Sequence, residues 1–106
     1  MKLFHKVLLV DDDPASIYLN ELVIEELAIA EQIIALQNGA DALDFIEEHC
    51  IHHDQDCPNL IILDLHMPVL DGTELLLELK SRGRLDLIKT KIAIVTSSIT
   101  LKISMI

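Results

Sequence analysis

The sequence predicts an α/β fold, a doubly wound open parallel sheet in a three-layer α/β/α arrangement. Short apolar runs alternate with segments of helical periodicity along the chain, a pattern typical of successive right-handed βαβ units. The runs are continuously apolar, as in strands that are buried on both faces. The 106 residues suit one domain over 1–106, long enough to bury a core without disulfides or a structural metal.

The first strand and helix are predicted from residues 6–27. The run "KVLLV" at 6–10 predicts a buried strand, and Pro14 suits the first turn of the next helix. Residues 15–27 show helical spacing of apolar side chains, with glutamates between them. The apolar face predicted from this spacing consists of Leu19, Leu22, Val23 and Leu27.

The second strand and helix follow at once. "QIIAL" at 32–36 predicts a strand, and "QNG" at 37–39 is a turn signal. Residues 40–50 predict a second amphipathic helix, and 51–59 a polar loop. The apolar face of this helix is predicted to contain Ala42, Leu43 and Ile46.

The last predicted elements repeat the alternation. "LIILD" at 60–64 is another apolar strand that ends in an aspartate, and 71–83 predicts a third helix with Gly83 as its stop signal. "KIAIVTSS" at 91–98 predicts a fourth strand that ends in hydroxyl residues. The predicted sheet therefore has four strands.

Composition limits the function classes. The formal net charge is −10, from 18 acidic and 8 basic residues, which argues against direct nucleic-acid binding and favours cations or basic protein surfaces. No apolar run approaches membrane-spanning length, and Asp11 interrupts the N-terminal apolar run before it reaches secretory length. Cys50 and Cys57 are expected to be free thiols in a cytoplasmic protein.

Polar side chains follow three of the predicted strands. Asp11, Asp12 and Asp13 follow the first, Asp64 ends the third, and Thr96 with Ser97 ends the fourth. Ligands of open parallel sheets bind at the carboxyl ends of the strands. Several carboxylates at one edge repel each other unless a cation lies between them, and oxygen ligands favour Mg²⁺ or Mn²⁺. The sequence therefore predicts a divalent metal site at this edge.

The segment after Asp64 adds detail to the predicted site. In "DLHMPVLDG", Pro68 fixes φ and removes a backbone donor, so the chain is expected to turn sharply below the site. Gly72 belongs to the same turn, and Asp71 can cap the next helix.

Three motifs together resemble a known family. "VLLVDDDP", "LIILDLHMPVLDG" and "IAIVTSS", in this order and at these separations, are similar to the receiver domain of bacterial two-component response regulators. The chemotaxis member of that family has a flavodoxin-like sheet of order 2-1-3-4-5. The resemblance covers nearly the whole chain.

The resemblance implies a role for each matching residue. Asp64 matches the phosphoacceptor, which takes a phosphoryl group from a sensor histidine kinase or a phosphotransfer protein. Asp12 matches the direct metal ligand and Asp11 the carboxylate that holds the metal through water, with the backbone carbonyl of His66 completing the protein ligands. Thr96 matches the hydroxyl that binds the phosphoryl group and signals its arrival, with Ser97 beside it.

The sequence departs from the family at its C-terminal end. The family has a lysine at the end of a fifth strand, and Lys102 is too close to Thr96 to match it. "SSITLKISMI" resembles the start of the usual fourth helix. The expectation is a sheet that stops after four of five strands, through truncation, residues beyond this sequence or strand swapping. An unpaired edge predicts self-association, as a homodimer or a strand-swapped oligomer.

Three other interpretations of these motifs stay open at this point. Asp11 and Asp13 form a strand-end DxD pair, as in phosphatases of the haloacid dehalogenase type, although Ala15 and the short chain do not fit that family. A receiver fold without switching would be a pure interaction domain. The stretch "HCIHHDQDC" at 49–57 has zinc-ligand residue types but no CxxC pair.

Overall fold

The sheet and its helices are seen in a computed structural model, which describes residues 3–52, 57–64, 72–82, 90–95 and 103–105. Within these ranges the chain alternates between strands and helices, as its sequence predicts. The elements are β1 Phe4–Val10, α1 Pro14–Leu27, β2 Ala30–Leu36, α2 Gly39–His52, β3 Leu60–Asp64, α3 Gly72–Arg82, β4 Lys91–Val95 and β5 Ile103–Met105.

The strand order is β2-β1-β3-β4-β5. The first four strands are parallel: β1 pairs with β2 and with β3, and β3 pairs with β4. The chain therefore starts near the middle of the sheet, winds first toward β2 and then toward β4. This is the doubly wound arrangement predicted from the alternating pattern, and it is confirmed.

Successive residues of β1 point to opposite faces of the sheet, so the strand contributes to two cores. Leu8 and Val10 pack on the face that α2 and α3 cover, together with Ile61, Leu75 and Ile92 among others. Val7 and Leu9 pack on the face that α1 covers. The side chains of these four residues are at most 1% exposed, which explains why residues 7–10 form a continuously apolar run.

The second helix buries the face that its spacing predicts. Ala42, Leu43 and Ile46 all belong to the core under α2. Asn38 begins this helix, because its side-chain oxygen accepts the Asp41 N–H at 2.7 Å and its amide donates to the Asp41 carboxylate at 3.0 Å. The first bond caps an otherwise unpaired backbone N–H at the helix start, and the second links the two side chains across the first turn.

The first helix does not bury its predicted face. Ile17 and Ile24 are its buried residues, whereas the predicted apolar face is solvent-exposed. Apolar residues occur all around this helix, so several stripes satisfy helical spacing and the periodicity does not identify the one that meets the sheet. The exposed apolar side chains of α1 are Tyr18, Leu19, Leu22, Val23 and Leu27.

The outer edge of β4 is also different from the prediction. The short strand β5 pairs antiparallel with it, through Ala93 with Met105, Ile94 with Ser104 and Val95 with Ile103. The sequence-based expectation of an unpaired β4 edge is therefore wrong over these positions, as is a helical assignment of 103–105. The pairing satisfies backbone groups that an edge strand leaves open.

The amino ends of the strands are joined around Asn59. Its side-chain oxygen accepts the backbone N–H groups of His5 at 2.9 Å and Lys6 at 3.0 Å. Its own N–H donates to the Lys6 carbonyl, and its carbonyl accepts the Lys91 N–H. One residue thus ties the starts of β1, β3 and β4 together.

The two cysteines form a disulfide, so the expectation of free thiols is wrong in this structure. Cys50 lies in the last turns of α2 and Cys57 lies just before β3, and their Cα atoms are 4.5 Å apart. This separation lies within the range that a disulfide spans. Sequence spacing does not reveal the pair, because the contact depends on how the chain returns from α2 to the sheet.

Candidate functional site

The strand register brings two distant aspartates together at the carboxyl edge of the sheet. Val10 of β1 pairs with Leu63 of β3. The next residues along these parallel strands are Asp11 and Asp64, which therefore emerge side by side from neighbouring strands. The Asp11 N–H also donates to the Leu36 carbonyl at 3.1 Å, which fixes the exit of β1 against β2.

A tight turn separates the acidic edge from α1. The Asp13 N–H donates to the Asp11 carboxylate at 2.9 Å. The Asp13 carboxylate in turn accepts the Ala15 N–H at 3.0 Å and the Ser16 hydroxyl at 3.1 Å. Asp13 is therefore the N-cap of α1. The sequence contains a signal for this cap, an aspartate directly before a proline, although Asp13 is predicted only as one of the acidic residues that follow the first strand, with no assigned ligand role.

Three carboxylates converge at this edge. One oxygen each of Asp11, Asp12 and Asp64 lies within 4.8 Å of the others. Asp64 is only 6% exposed, Asp11 is half-buried and Asp12 is exposed. Asp13 is not a member of this group, so its carboxylate serves the helix instead.

The oxygen spacing suits a small hard cation. Mg²⁺ takes octahedral oxygen ligands at about 2.0–2.1 Å, which puts opposite ligands about 4.2 Å apart. The 4.8 Å span of the three carboxylate oxygens needs only a small contraction to reach this geometry. Three carboxylate oxygens also leave octahedral coordination positions for water, which Mg²⁺ usually retains. The residues present therefore fit a magnesium ion.

The pKa of Asp11 is raised from 3.8 to about 6, chiefly by burial. The hydrogen bond from the Asp13 N–H lowers this pKa, whereas the negative charges of Asp64 and Asp12 and a hydrogen bond with the Asp64 side chain contribute to raising it. Below about pH 6 this carboxyl group is therefore mostly protonated, which reduces the repulsion between it and its acidic neighbours. A cation bound between the carboxylates would relieve the same repulsion.

Several predicted site residues lie outside the described part of the chain. They are His66, Pro68, Asp71, Thr96 and Ser97. Gly72, assigned to the turn after Asp64, is the first residue of α3. The register pairs Asp64 with Val95, so β4 ends beside Asp64 with the residue that precedes Thr96 in the sequence.

The zinc interpretation of 49–57 finds no support among the described residues. Cys50 and Cys57 are bonded to each other, so neither sulfur is a thiolate ligand. The His49 ring stacks on Phe45 with centroids 4.0 Å apart, and its Nδ1 lies 2.9 Å from the Phe45 carbonyl oxygen. Within the described residues, the group of metal-ligand type is the acidic one at Asp11, Asp12 and Asp64.

Comparison with known proteins shows the family of the chain. Residues 7–105 match the family model of the response regulator receiver domain. The chain belongs to this family. The match includes both strand-end aspartate motifs and leaves no role for the DxD phosphatase interpretation, since Asp13 caps α1.

Curated relatives of this chain include response regulators. Response regulator Rcp1 of Synechocystis sp. is 34% identical over 92 residues, which are 87% of this chain and 61% of Rcp1. The chain therefore spans less than two thirds of that relative. Within the residues searched, no helix is both long and apolar enough to cross a membrane.

Solved structures of receiver domains have the same fold. A two-component response regulator from Cytophaga hutchinsonii superposes with a TM-score of 0.83 at 27% identity, over 94% of this chain and 73% of that chain. The phosphorylated cyanobacterial phytochrome response regulator RcpA gives a TM-score of 0.69 at 26% identity, over 91% of this chain and 67% of that chain.

Proposed function

We propose that this receiver domain accepts a phosphoryl group on Asp64 and passes the signal on through the residues that follow β4. The observation that carries the proposal is the convergence of Asp11, Asp12 and Asp64, with ligand oxygens within 4.8 Å, at the carboxyl edge of a receiver fold. RcpA, one of the similar structures, is phosphorylated. The donor is a sensor histidine kinase or a phosphotransfer protein.

The three carboxylates are proposed to hold Mg²⁺, or Mn²⁺ in its place, with the backbone carbonyl of His66 as a further ligand. A bound divalent ion supplies charge neutralisation for the phosphoryl oxygens. Asp12 is exposed and can coordinate directly, whereas Asp11, which accepts the Asp13 N–H, suits a role through water. Asp13 is not proposed as a ligand, because its side chain caps α1.

Asp64 is proposed as the nucleophile because it is the buried member of the group. A carboxylate oxygen of Asp64 forms the bond to phosphorus while the bond between phosphorus and the donor's imidazole nitrogen breaks. The electron pair of that bond goes to the imidazole, which takes up a proton. Burial at 6% exposure keeps bulk water away from the attacking oxygen and restricts its orientation.

Signal output is proposed to start at Thr96, with Ser97 beside it. A phosphorylated Asp64 offers new acceptor oxygens, and a hydroxyl that bonds them can move its loop. The position of Val95 beside Asp64 in the sheet supports this, because Thr96 follows Val95 directly in the sequence. The module would signal by this change and have no outside substrate except the phosphodonor.

We propose that the binding partners are proteins, on the basis of the net charge and the family. A net charge of −10 disfavours direct contact with nucleic acid, and a cytoplasmic location agrees with donors of this class. Self-association as a homodimer or a strand-swapped oligomer stays a prediction, although β5 pairs with the edge of β4 over Ala93–Val95.

The first experiment is intact-mass spectrometry after incubation with acetyl phosphate, with and without Mg²⁺. We expect the wild-type chain to gain one phosphoryl group only when Mg²⁺ is present. Asp64→Asn removes the nucleophile but keeps the shape of the side chain, so it should gain none. Asp44→Asn changes an exposed carboxylate of α2 and should be phosphorylated like the wild type.

Two results would contradict the proposal. Phosphoryl gain by Asp64→Asn would place the acceptor elsewhere. No gain by a wild-type chain that is folded by circular dichroism and binds Mg²⁺ by calorimetry would instead indicate an interaction domain with a receiver fold. In that case the Mg²⁺ affinities of Asp11→Asn and Asp12→Asn would still report whether the acidic group binds the metal.

A further inference from the structure

The disulfide joins two parts of the fold that other contacts already hold. On the α2 side, Ala42, Leu43 and Ile46 anchor the helix in the core. On the β3 side, Asn59 binds the starts of β1 and β4. Neither anchor uses a sulfur atom, so both sets of contacts remain available when the Cys50–Cys57 bond is reduced.

The segment that carries Cys57 also has a hydrogen-bonded support of its own. The buried Thr90 hydroxyl donates to the Pro58 carbonyl at 2.8 Å. The Cys57 sulfur lies 3.8 Å from the same hydroxyl oxygen. A reduced Cys57 therefore keeps a polar neighbour, and the segment keeps its attachment to the start of β4.

Both cysteines are also within reach of solvent. Cys50 and Cys57 are each partly exposed, and access to a sulfur atom is one condition for thiol–disulfide exchange. The chain is large enough to fold without a covalent cross-link. Disulfides in reducing compartments are usually transient or redox-sensing rather than structural.

We propose that Cys50 and Cys57 form a reversible thiol–disulfide site that controls the last turn of α2. The site is separate from Asp64, and the proposal does not depend on phosphorylation. The reaction partner is a low-molecular-weight thiol and its disulfide, of the glutathione class.

The exchange balances in two steps. A thiolate of the small thiol attacks one protein sulfur, the Cys50–Cys57 bond breaks, and a mixed disulfide and one protein thiolate form. A second small thiolate then displaces the remaining protein sulfur. The protein gains two electrons and two protons, and two small thiols become one small disulfide.

Reduction removes the covalent link between α2 and the segment before β3. The helix residues nearest the link are Cys50, Ile51 and His52, at the end of α2. Helix ends fray when nothing fixes them. In the reduced protein, these last residues should therefore exchange their amide hydrogens faster, while the turns that contain Ala42 and Ile46 stay protected.

The test equilibrates the intact protein in glutathione buffers of graded redox potential. Thiols are then trapped by alkylation and counted by intact mass. We expect a single two-electron transition between a doubly alkylated and an unalkylated form. The reduced form should melt about 10 °C lower than the oxidised one, as expected for the loss of a short cross-link in a domain of this size.

Three variants serve as controls. Cys50→Ser with Cys57→Ser should melt at one temperature in both buffers, because it has no thiol to exchange. Asp64→Asn should keep the full redox response while losing phosphorylation, which separates this proposal from the proposed function. Asp44→Asn, on the exposed side of α2, should behave like the wild type.

Two outcomes would overturn the proposal. One is a folded wild-type chain that stays doubly alkylated throughout the oxidising range. The other is a disulfide that forms but leaves both the melting temperature and the amide exchange of residues 50–52 unchanged on reduction.

Discussion

The two edges of the sheet are built on opposite principles. At the carboxyl edge, Asp11, Asp12 and Asp64 bring three like charges within 4.8 Å, and the pKa of Asp11 rises to about 6 as a result of burial and its acidic neighbours. At the amino edge, Asn59 accepts two backbone N–H groups and Thr90 donates to Pro58. Polar groups there are paired with each other.

The carboxyl edge of the sheet thus carries the candidate functional site, whereas the amino edge contributes to stability. Three carboxylates within 4.8 Å of one another repel each other when no cation lies between them, whereas the satisfied hydrogen bonds at the opposite edge stabilise the fold. Substitutions at the two edges should therefore change stability in opposite directions.

The largest effect is expected at the amino edge. Asn59→Ala removes the oxygen that accepts the His5 and Lys6 N–H groups. Leaving these donors unpaired should lower the free energy of unfolding by about 2 kcal/mol. Urea denaturation followed by circular dichroism measures the change.

Asn59→Asp is the matched control, because it keeps an acceptor oxygen in the same place. It should lose clearly less stability than Asn59→Ala. Equal losses in both variants would mean that the side-chain hydrogen bonds do not hold the strand starts together.

At the carboxyl edge, substitution of Asp11 should raise the stability of the protein rather than lower it. The raised pKa of Asp11 means that the folded state binds a proton more tightly than the unfolded state does between pH 3.8 and about 6. The stability of the metal-free protein therefore falls as pH rises through this range, and the full penalty is present above it. Asp11→Asn removes the titrating group and should stabilise the metal-free protein at pH 7 by about 1 kcal/mol, after allowance for solvent screening.

The comparison of the wild type with Asp11→Asn is made in EDTA, because bound metal changes which of the two proteins is the more stable. Added Mg²⁺ should stabilise the wild type more than Asp11→Asn, because a ligand that binds the folded state adds to its stability. At pH 4 in EDTA the difference between the two proteins should shrink. A constant difference from pH 4 to pH 7 would show that Asp11 is not the source of the penalty.

Substitution of Asp13 tests whether this residue caps α1 or belongs to the metal site beside it. Asp13→Ala removes the oxygens that accept from Ala15 and Ser16 and should cost about 1 kcal/mol of unfolding free energy. Asp13→Asn keeps a cap and should cost less. Calorimetric Mg²⁺ affinity should stay near the wild-type value in both, and a loss as large as that of Asp12→Asn would place Asp13 in the metal site.

The smallest effect is expected at the end of α1. Ala28 adopts a left-handed conformation with φ 53° and ψ 38°, which glycine tolerates better. Ala28→Gly should therefore stabilise the protein by about 0.5 kcal/mol, measured by thermal unfolding. Ala40→Gly, in an exposed position in the first turn of α2, should instead destabilise it by about 0.5 kcal/mol. Destabilisation by both would contradict the conformational argument.

The parallel sheet and the acidic group could be predicted from local signals, while the strand order was implied by the resemblance to receiver domains. The second half of β1, residues 7–10, is continuously apolar and is followed directly by an aspartate, and parallel strands bring such ends to one edge. The pairing of Val10 with Leu63 then places Asp11 and Asp64 together. No long-range information beyond the strand order was required.

The other features of the structure depend on long-range contacts, which the periodicity of the sequence does not reveal. The buried stripe of α1 runs through Ile17 and Ile24, and only the tilt of the helix on the sheet selects it from several apolar stripes. The Cys50–Cys57 bond depends on the path of the chain after α2. The strand at Ile103–Met105 depends on a neighbouring edge, which no local pattern encodes.

The exposed apolar side chains of α1 have a consequence for the colloidal behaviour of the protein. Tyr18, Leu19 and Leu27 are each at least 60% exposed, so mutual repulsion between chains of net charge −10 must keep these surfaces apart in concentrated solution. Solubility should therefore be lowest near the isoelectric point of about 4.6 and should fall as salt screens the repulsion. Low ionic strength at neutral pH is the condition in which this domain stays dispersed.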